Sequence, residues 1–520
     1  MRRQAQAVPR GVLGAATNIR QTAFDALPDE VTKRGVREHY RDKDTLRIRS
    51  GVPVVGRSRI DLTRIVLFLC TVSLSVAGCE RNRPDVVRVQ GPRIALTHVE
   101  LIDGTGTAAK QDQTIVIEND RIAWVGPADD AKMPPDVQVL DLNGHTMLPG
   151  LVGMHNHLFY AVDGGTRYIG VPRPFARLYL AAGVTSLRTA GSIDLQKDST
   201  LKHDIDAGRE IGPKIHLSSP YIRRYADPAM LKREIGTFAD AGVTSLKIYT
   251  DLPREQLALA VAAARARGLT VTGHLCAVGF TEAAALGIDN LEHGLIVDTE
   301  FYSKKVADQC PDWSETLKDL LAMQVTSQPI QDMITALIGH HVAVTSTLAV
   351  FESFARATTD SRVETVLTHG LLERYRDYVK RQSVDARSLA AWEKVLKLEM
   401  AFERSFVERG GMLLAGADPT GWGGVLAGFA DHRNIELLVE AGFTIEQAIQ
   451  IASANGAAFL GDTQTGTVAP GKLADLAVCR GSLASDVRNV RNVAIVFKSG
   501  VGYDSAKLID IERGRVGATE

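Results

Sequence analysis

Apolar positions fall along the chain in two textures. From Ile94 to Val125 they form short runs rich in β-branched residues, Ile94–Leu101, Thr114–Ile117 and Arg121–Val125, separated by Asp103-Gly104-Thr105-Gly106 and Glu118-Asn119-Asp120. Runs of this kind between Asn/Asp/Gly turns predict hairpins. The texture returns in Leu473–Val478 and Val493–Phe497. Segments 92–149 and 463–510 are therefore expected to co-fold into one small β-sandwich built from both chain ends. Between them, residues 150–462 alternate short apolar strands with helical stretches. The strands expected are Gly150–His157, Val184–Arg188, Lys214–Ser218, Ser245–Tyr249, Thr270–His274, Asn290–His293, Val342–Thr347 and Met412–Asp418. Eight strands with intervening helices predict an α/β fold, a (β/α)8 TIM-like barrel. One helix start is explicit: Thr444-Ile445-Glu446-Gln447 has the form of a capping box, followed by Ala448, Ile449 and Ala452 at helical spacing. The stretches Glu364–Arg376 and Leu389–Arg409 also read as helices and are expected to cap the barrel mouth.

A third texture precedes these two. Ile65 to Ala77 is an apolar run with Arg57, Arg59 and Arg64 before it and Val76-Ala77-Gly78-Cys79 at its end. A basic region, a short apolar region and small residues before a cut are the parts of a secretory signal, here over 55–79. Its last four residues resemble the lipobox of bacterial lipoproteins, which implies lipidation of Cys79, a tether over 80–91 and membrane contact through that lipid anchor alone. A plain signal peptide with an incidental Cys79, or a buried core strand, are the other readings. Residues 1–54 are Arg-rich, lack apolar periodicity and contain no Met after Met1. They are expected to be an extension ahead of the true translation start.

Composition narrows the classes further. At 520 residues with a net charge of −1, 45% hydrophobic and 23% charged residues, the chain has the composition of an ordinary soluble globular protein and shows no bias toward nucleic acid. The partner expected is a small-molecule substrate; oligomeric state is left open. Beyond Cys70 and Cys79, only Cys276, Cys310 and Cys479 remain, without zinc-knuckle spacing. They are expected to be small buried residues rather than a disulfide framework.

The chemistry-bearing residues stand at strand ends. His155 and His157 flank Asn156 at the end of the first strand, and alternation places both imidazoles on one face. Lys247, His274, His293 and Asp418 close later strands, and chemistry in (β/α)8 enzymes sits at these C-terminal ends. Imidazole and carboxylate ligands suit zinc above all, with manganese, cobalt and iron possible. Each residue alone has a bland explanation, a satisfied core histidine, a capping Asp or a solvated lysine. One such group per successive strand terminus favours a metal site. Arg188, ending the second strand, and Tyr249, two residues past Lys247 on the same face, are further candidates, for a substrate carboxylate and an oxyanion respectively. Tyr221, Arg223 and Arg224 follow the third strand and are candidates for binding a carboxylate.

The stretch Met147-Leu148-Pro149-Gly150-Leu151-Val152-Gly153-Met154-His155-Asn156-His157 resembles the first-strand motif of the amidohydrolase superfamily, P-G-[LF]-[IV]-D-x-H-x-H, with Gly153 in place of the usual Asp. Gly466–Leu476 resembles that family's return into its β-sandwich, and the resemblance runs from Ile94 to about Asp504. Lys247-Ile248-Tyr249 makes the chain most similar to the imidazolonepropionase-like group with its Xaa-Pro and related dipeptidases. The resemblance implies that Lys247 is carboxylated by carbon dioxide. It implies two divalent ions, one on His155, His157 and Asp418, the other on His274 and His293, with Lys247 bridging. It also implies that a bridging hydroxide attacks a carbonyl while Asp418 moves the proton to the leaving nitrogen. The expected activity is cleavage of an amide bond in a dipeptide or N-acyl amino acid. The alternatives are a lactonase, esterase or phosphotriesterase using the same site, and a non-catalytic binding lipoprotein.

Overall fold

Strand-forming runs at both chain ends meet in one sheet. The computed structural model describes residues 85–162, 167–383, 386–420 and 424–518, all but Asp85 within one compact unit; of the second unit, Pro28–Asp85, only Asp85 is among them. The signal-like segment, Cys79 and the Arg-rich extension lie outside the described residues. The sheet has nine strands, ordered Val87–Val89, Val501–Asp504, Val493–Lys498, Leu476–Arg480, His145–Pro149, Arg93–Leu101, Lys110–Glu118 and Arg121–Pro127, with Gln138–Asp141 also paired to Arg93–Leu101. Ile94, Leu96, Ile115, Ile117, Leu476, Val478, Ile495 and Phe497 form its apolar core. Strands from both chain ends thus share one continuous hydrogen-bonded sheet; the expected sandwich is not shown as two separate sheets.

The middle of the chain supplies parallel strands followed by helices. We number them β1 (Leu151–Asn156), β2 (Val184–Thr189), β3 (Lys214–His216 and Ser218–Ile222), β4 (Ser245–Ile248), β5 (Thr270–Gly273), β6 (Asn290–Glu292), β7 (Ala343–Ser346) and β8 (Leu413–Ala415). The strand β2 pairs in parallel with β1 and with the first part of β3, and the second part of β3 begins a parallel run through to β8. The break in β3 is bridged where Ser218 N donates to Thr189 Oγ1 at 2.8 Å. The last strand returns to the first: Asp418 N donates to His155 O at 2.9 Å. Gly416 permits this approach, since a Cβ there would lie 2.5 Å from His155 N. The result is a TIM-barrel-like α/β fold, and its strands fall on the segments expected to within a few residues.

The helices follow the sequence signals as well. Thr444 Oγ1 accepts from Gln447 N at 3.2 Å and Thr444 N donates to Gln447 Oε1 at 2.9 Å, the reciprocal capping box. The stretches after Phe351 form helices Ser361–Val366, His369–Ser383 and Ala386–Glu408. Among the described residues no helix is long and apolar enough to cross a membrane.

The cysteines differ from expectation. Cys276 and Cys310, 34 residues apart, form a disulfide with Cα atoms 5.0 Å apart, while Cys479 is free and buried. Cys276 lies two residues beyond His274, so the bridge ties the β5 loop to the excursion that follows β6. Closing a loop of this length contributes about 3–4 kcal/mol on chain-entropy grounds.

Candidate metal centre

The site is assembled from the ends of five strands. His155 is in β1 and His157 just beyond it, with rings at 90° and centroids 5.3 Å apart. Lys247 lies within β4; His274, His293 and Asp418 follow β5, β6 and β8. All six are at least 93% buried. His293 and Asp418 adopt left-handed backbone, with φ of 69° and 46°. Such conformations cost energy for residues with a Cβ and concentrate at functional sites. Here they swing two side chains off the strand direction and into the cluster.

Asp418 is the hub. Its Oδ1 lies 3.1 Å from His157 Nε2 and 3.5 Å from His155 Nε2, and its Oδ2 lies 3.8 Å from His293 Nδ1. His155, His293 and Asp418 each offer a ligand atom, all within 4.8 Å of one another. The ring of His293 sits 4.5 Å from that of His155 and 4.6 Å from that of His274, and His293 Nδ1 is 2.9 Å from Thr347 Oγ1. Lys247 Nζ contacts Glu292 Oε2, and Glu292 Oε1 lies 3.5 Å from His155 Nδ1. The six residues thus form one cluster.

Burial sets their protonation. It lowers the imidazoles of His155 and His293 well below the ordinary histidine range and His274 to about 3, which favours the neutral, metal-ligating form. Burial would raise the Asp418 carboxyl, but His155, His157 and His293 hold it well below its usual value. Burial also pulls the Lys247 amine far down; Asp418 opposes this and Arg188 adds to it.

Two supporting groups went unnoticed in the sequence. Glu292 is fully buried beside Lys247, accepts from Thr272 Oγ1 at 2.8 Å and lies 3.6 Å from Arg188 Nη2. Asn156, between the two histidines, accepts from Ala417 N at 3.1 Å and donates to Asp431 Oδ1 at 3.3 Å, stapling β1 to the residue before Asp418. Burial raises the Asp431 carboxyl to about 6. The same pair accounts for the glycine in the first-strand motif: a Cβ on Gly153 would lie 2.0 Å from Asn156 Nδ2 and 3.3 Å from Asp431 Oδ1. Gly153→Ala is therefore expected to destabilise the fold by about 1–3 kcal/mol through overpacking. In thermal unfolding, the double variant Gly153→Ala/Asn156→Ala should lose less than the two single losses added together.

Arg188 departs from the role expected of it. It is fully buried, and its Nη2 donates to Met154 O at 2.6 Å and Asn290 Oδ1 at 2.7 Å. These partners precede the ligands on β1 and β6, so the guanidinium packs inside the barrel beneath the cluster. It braces Asn290 and Glu292 and does not face a substrate carboxylate. Tyr249 does reach the site, its ring 5.4 Å from that of His274.

Buried imidazoles and a carboxylate gathered at the C-terminal ends of parallel strands make a candidate divalent-metal site in a barrel-like fold. The chain belongs to the amidohydrolase family, whose profile matches residues 146–502. An imidazolonepropionase from Streptomyces avermitilis is 31% identical over 134 residues, 25% of this chain and 31% of that protein. The chain thus aligns with about a third of that relative's length. Among solved structures, a Xaa-Pro dipeptidase with bound methionine in the active site matches with a TM-score of 0.58 at 19% identity, over 79% of this chain and 100% of that one. Phenylurea hydrolase B matches with a TM-score of 0.59 at 20% identity, over 82% and 100%. Both show a shared fold.

Proposed function

We propose that this protein is a binuclear metal-dependent amidohydrolase that cleaves a C–N bond in a small substrate such as a dipeptide or N-acyl amino acid. The observation that carries the reading is the convergence of His155, His157, Lys247, His274, His293 and Asp418 in one buried cluster. The donor set fits divalent cations, zinc above all. His157 Nδ1 is buried without a hydrogen-bond partner and His155 Nδ1 has only Glu292 Oε1 at 3.5 Å, although buried polar atoms are normally satisfied. His155, His157 and Asp418 would hold one ion and His274 and His293 the other, with Lys247, carboxylated on Nζ, reaching both. When bound, such ions polarise a carbonyl oxygen and ready water for attack near neutral pH.

The chain's own groups do the rest. Asp418, held ionised among three imidazoles, takes a proton from the attacking water and passes it to the leaving nitrogen. The Tyr249 hydroxyl donates to the carbonyl oxygen as charge builds there. Asn156 keeps the Asp418 loop in register with β1. The Xaa-Pro dipeptidase and phenylurea hydrolase of like fold support an amide-type bond as the target.

Export is part of the same reading. We propose that the protein acts outside the bacterial cytoplasm, anchored through lipid at Cys79. The Cys276–Cys310 disulfide supports an oxidising compartment.

The test is metal analysis with kinetics. Exhaustive chelation should abolish turnover, and zinc with bicarbonate should restore it at two ions per chain. Dipeptides and N-acyl amino acids should be cleaved in preference to lactones and aryl phosphates. Activity that survives chelation, or turnover of lactones with no amide, overturns the proposal.

A further inference from the structure

One wall of the cluster is aromatic. The Tyr249 ring, beside His274, meets Tyr221 of β3 edge-on at 5.0 Å. Tyr221 is half-buried, and its hydroxyl lies in the electrostatic reach of Tyr249, Tyr168 and Asp418. Tyr168 in turn packs on Phe159 at 5.2 Å, and Phe159 on His157 at 4.4 Å. A band of rings therefore runs from His274 round to His157 along one side of the reacting centre.

A guanidinium is set into that band. Arg223 follows β3 directly, and its Cζ stands 4.9 Å from the centre of the Tyr249 ring. Its Nε is buried with no hydrogen-bond partner although the side chain as a whole is 27% exposed; Asp251 Oδ1 lies 3.8 Å from that atom, on a side chain that is 44% exposed. Arg224, the next residue, differs: its Nη2 is engaged by Asp308 O at 2.7 Å. Stacking on a ring occupies a face of the guanidinium and leaves the in-plane N–H edge for an acceptor. A buried N–H with no acceptor is a costly arrangement to keep. The planar acceptor that matches this edge is a carboxylate.

We propose that Arg223 receives the free carboxylate of the substrate, so that the site selects amides of amino acids with an unblocked C-terminus, their side chains lying against Tyr249 and Tyr221. The proposal rests on the hydrolase reading of the same site and names the substrate class within it. It makes Arg223 a specificity determinant, one tyrosine ring removed from His274.

The experiment compares two probes without a scissile acyl bond on the zinc-loaded full chain by calorimetry, the acid N-methanesulfonyl-L-phenylalanine and its neutral alcohol counterpart, N-methanesulfonyl-L-phenylalaninol. Wild type is expected to bind the acid about 10–100-fold more tightly. In Arg223→Gln that preference should fall toward one, and Arg223→Lys should keep an intermediate share of it. No acid preference in wild type, or one that Arg223→Gln leaves intact because the metal ions hold the carboxylate, overturns the proposal. The wild-type comparison needs no variant to fold. Should no amide be turned over while the acid preference and its loss in Arg223→Gln persist, the hydrolase reading falls and the carboxylate site stands.

Discussion

Asp418→Asn is expected to lower kcat by about 10³–10⁴-fold, the range that a positioned acid–base group supplies, while KM for a dipeptide changes little. The substitution suits the position. Asp418 sits at a φ of 46°, a conformation that Asn adopts as readily as Asp, and its backbone N–H is fixed on His155 O. The variant should therefore fold with its side chain in place beside His155 and His157. What disappears is the charge that three imidazoles sustain in a buried setting, and with it the capacity to accept a proton. Steady-state kinetics with metal analysis of the same sample read the outcome. A variant that retains its metal and turns over near the wild-type rate would remove Asp418 from proton transfer. A rise in KM at constant kcat would make it a binding group instead.

Most of the fold was legible because short β-branched runs and Gly/Asp punctuation are local signals. The eight barrel strands and the Thr444 capping box were found where those signals placed them. Sheet pairing is not local. That Leu476–Arg480 lies between His145–Pro149 and Val493–Lys498 depends on partners hundreds of residues apart, so the strand order of this sheet was not legible. The disulfide was missed for a similar reason, since two cysteines 34 residues apart carry no spacing signature.

The site shows the same division. Its histidines, Lys247 and Asp418 stood out because strand ends carry chemistry in this architecture. Glu292 did not, because alternation along Leu291-Glu292-His293 suggests that if His293 points inward, Glu292 points away. The left-handed backbone at His293 breaks that rule. Asn290 and Glu292 share the inner face of β6, and His293 turns inward past the strand end. Arg188 was misread in the opposite direction. A charged residue at a strand terminus suggested substrate contact, but its length carries it back into the barrel to Met154 and Asn290. Positive φ is the physical reason that ligand identity could be read from the sequence more readily than ligand neighbours.

Lys247→Ala is expected to halve the bound metal and to lower kcat/KM by about 10²–10³-fold, the equivalent of several kcal/mol of charge stabilisation. Lys247 is buried at the centre of the cluster, so truncation opens a cavity beside Glu292 and the histidines. The chemistry that refills this cavity identifies what wild-type Lys247 contributes. If the working form is a carbamate, it brings two anionic oxygens, and propionate or acetate should restore part of the activity and the second ion. If the working form is the ammonium paired with Glu292, as the direct Nζ contact would allow, carboxylates should fail and propylamine should rescue. The companion Glu292→Gln separates the cases further. Neutralising the carboxylate relieves repulsion on a carbamate and so should preserve or raise bicarbonate-dependent activation, whereas it would deprive an ammonium of its counter-charge and destabilise the buried site. Rescue of Lys247→Ala by amines alone would end the carbamate assignment, and with it the case for a second ion bridged by this residue.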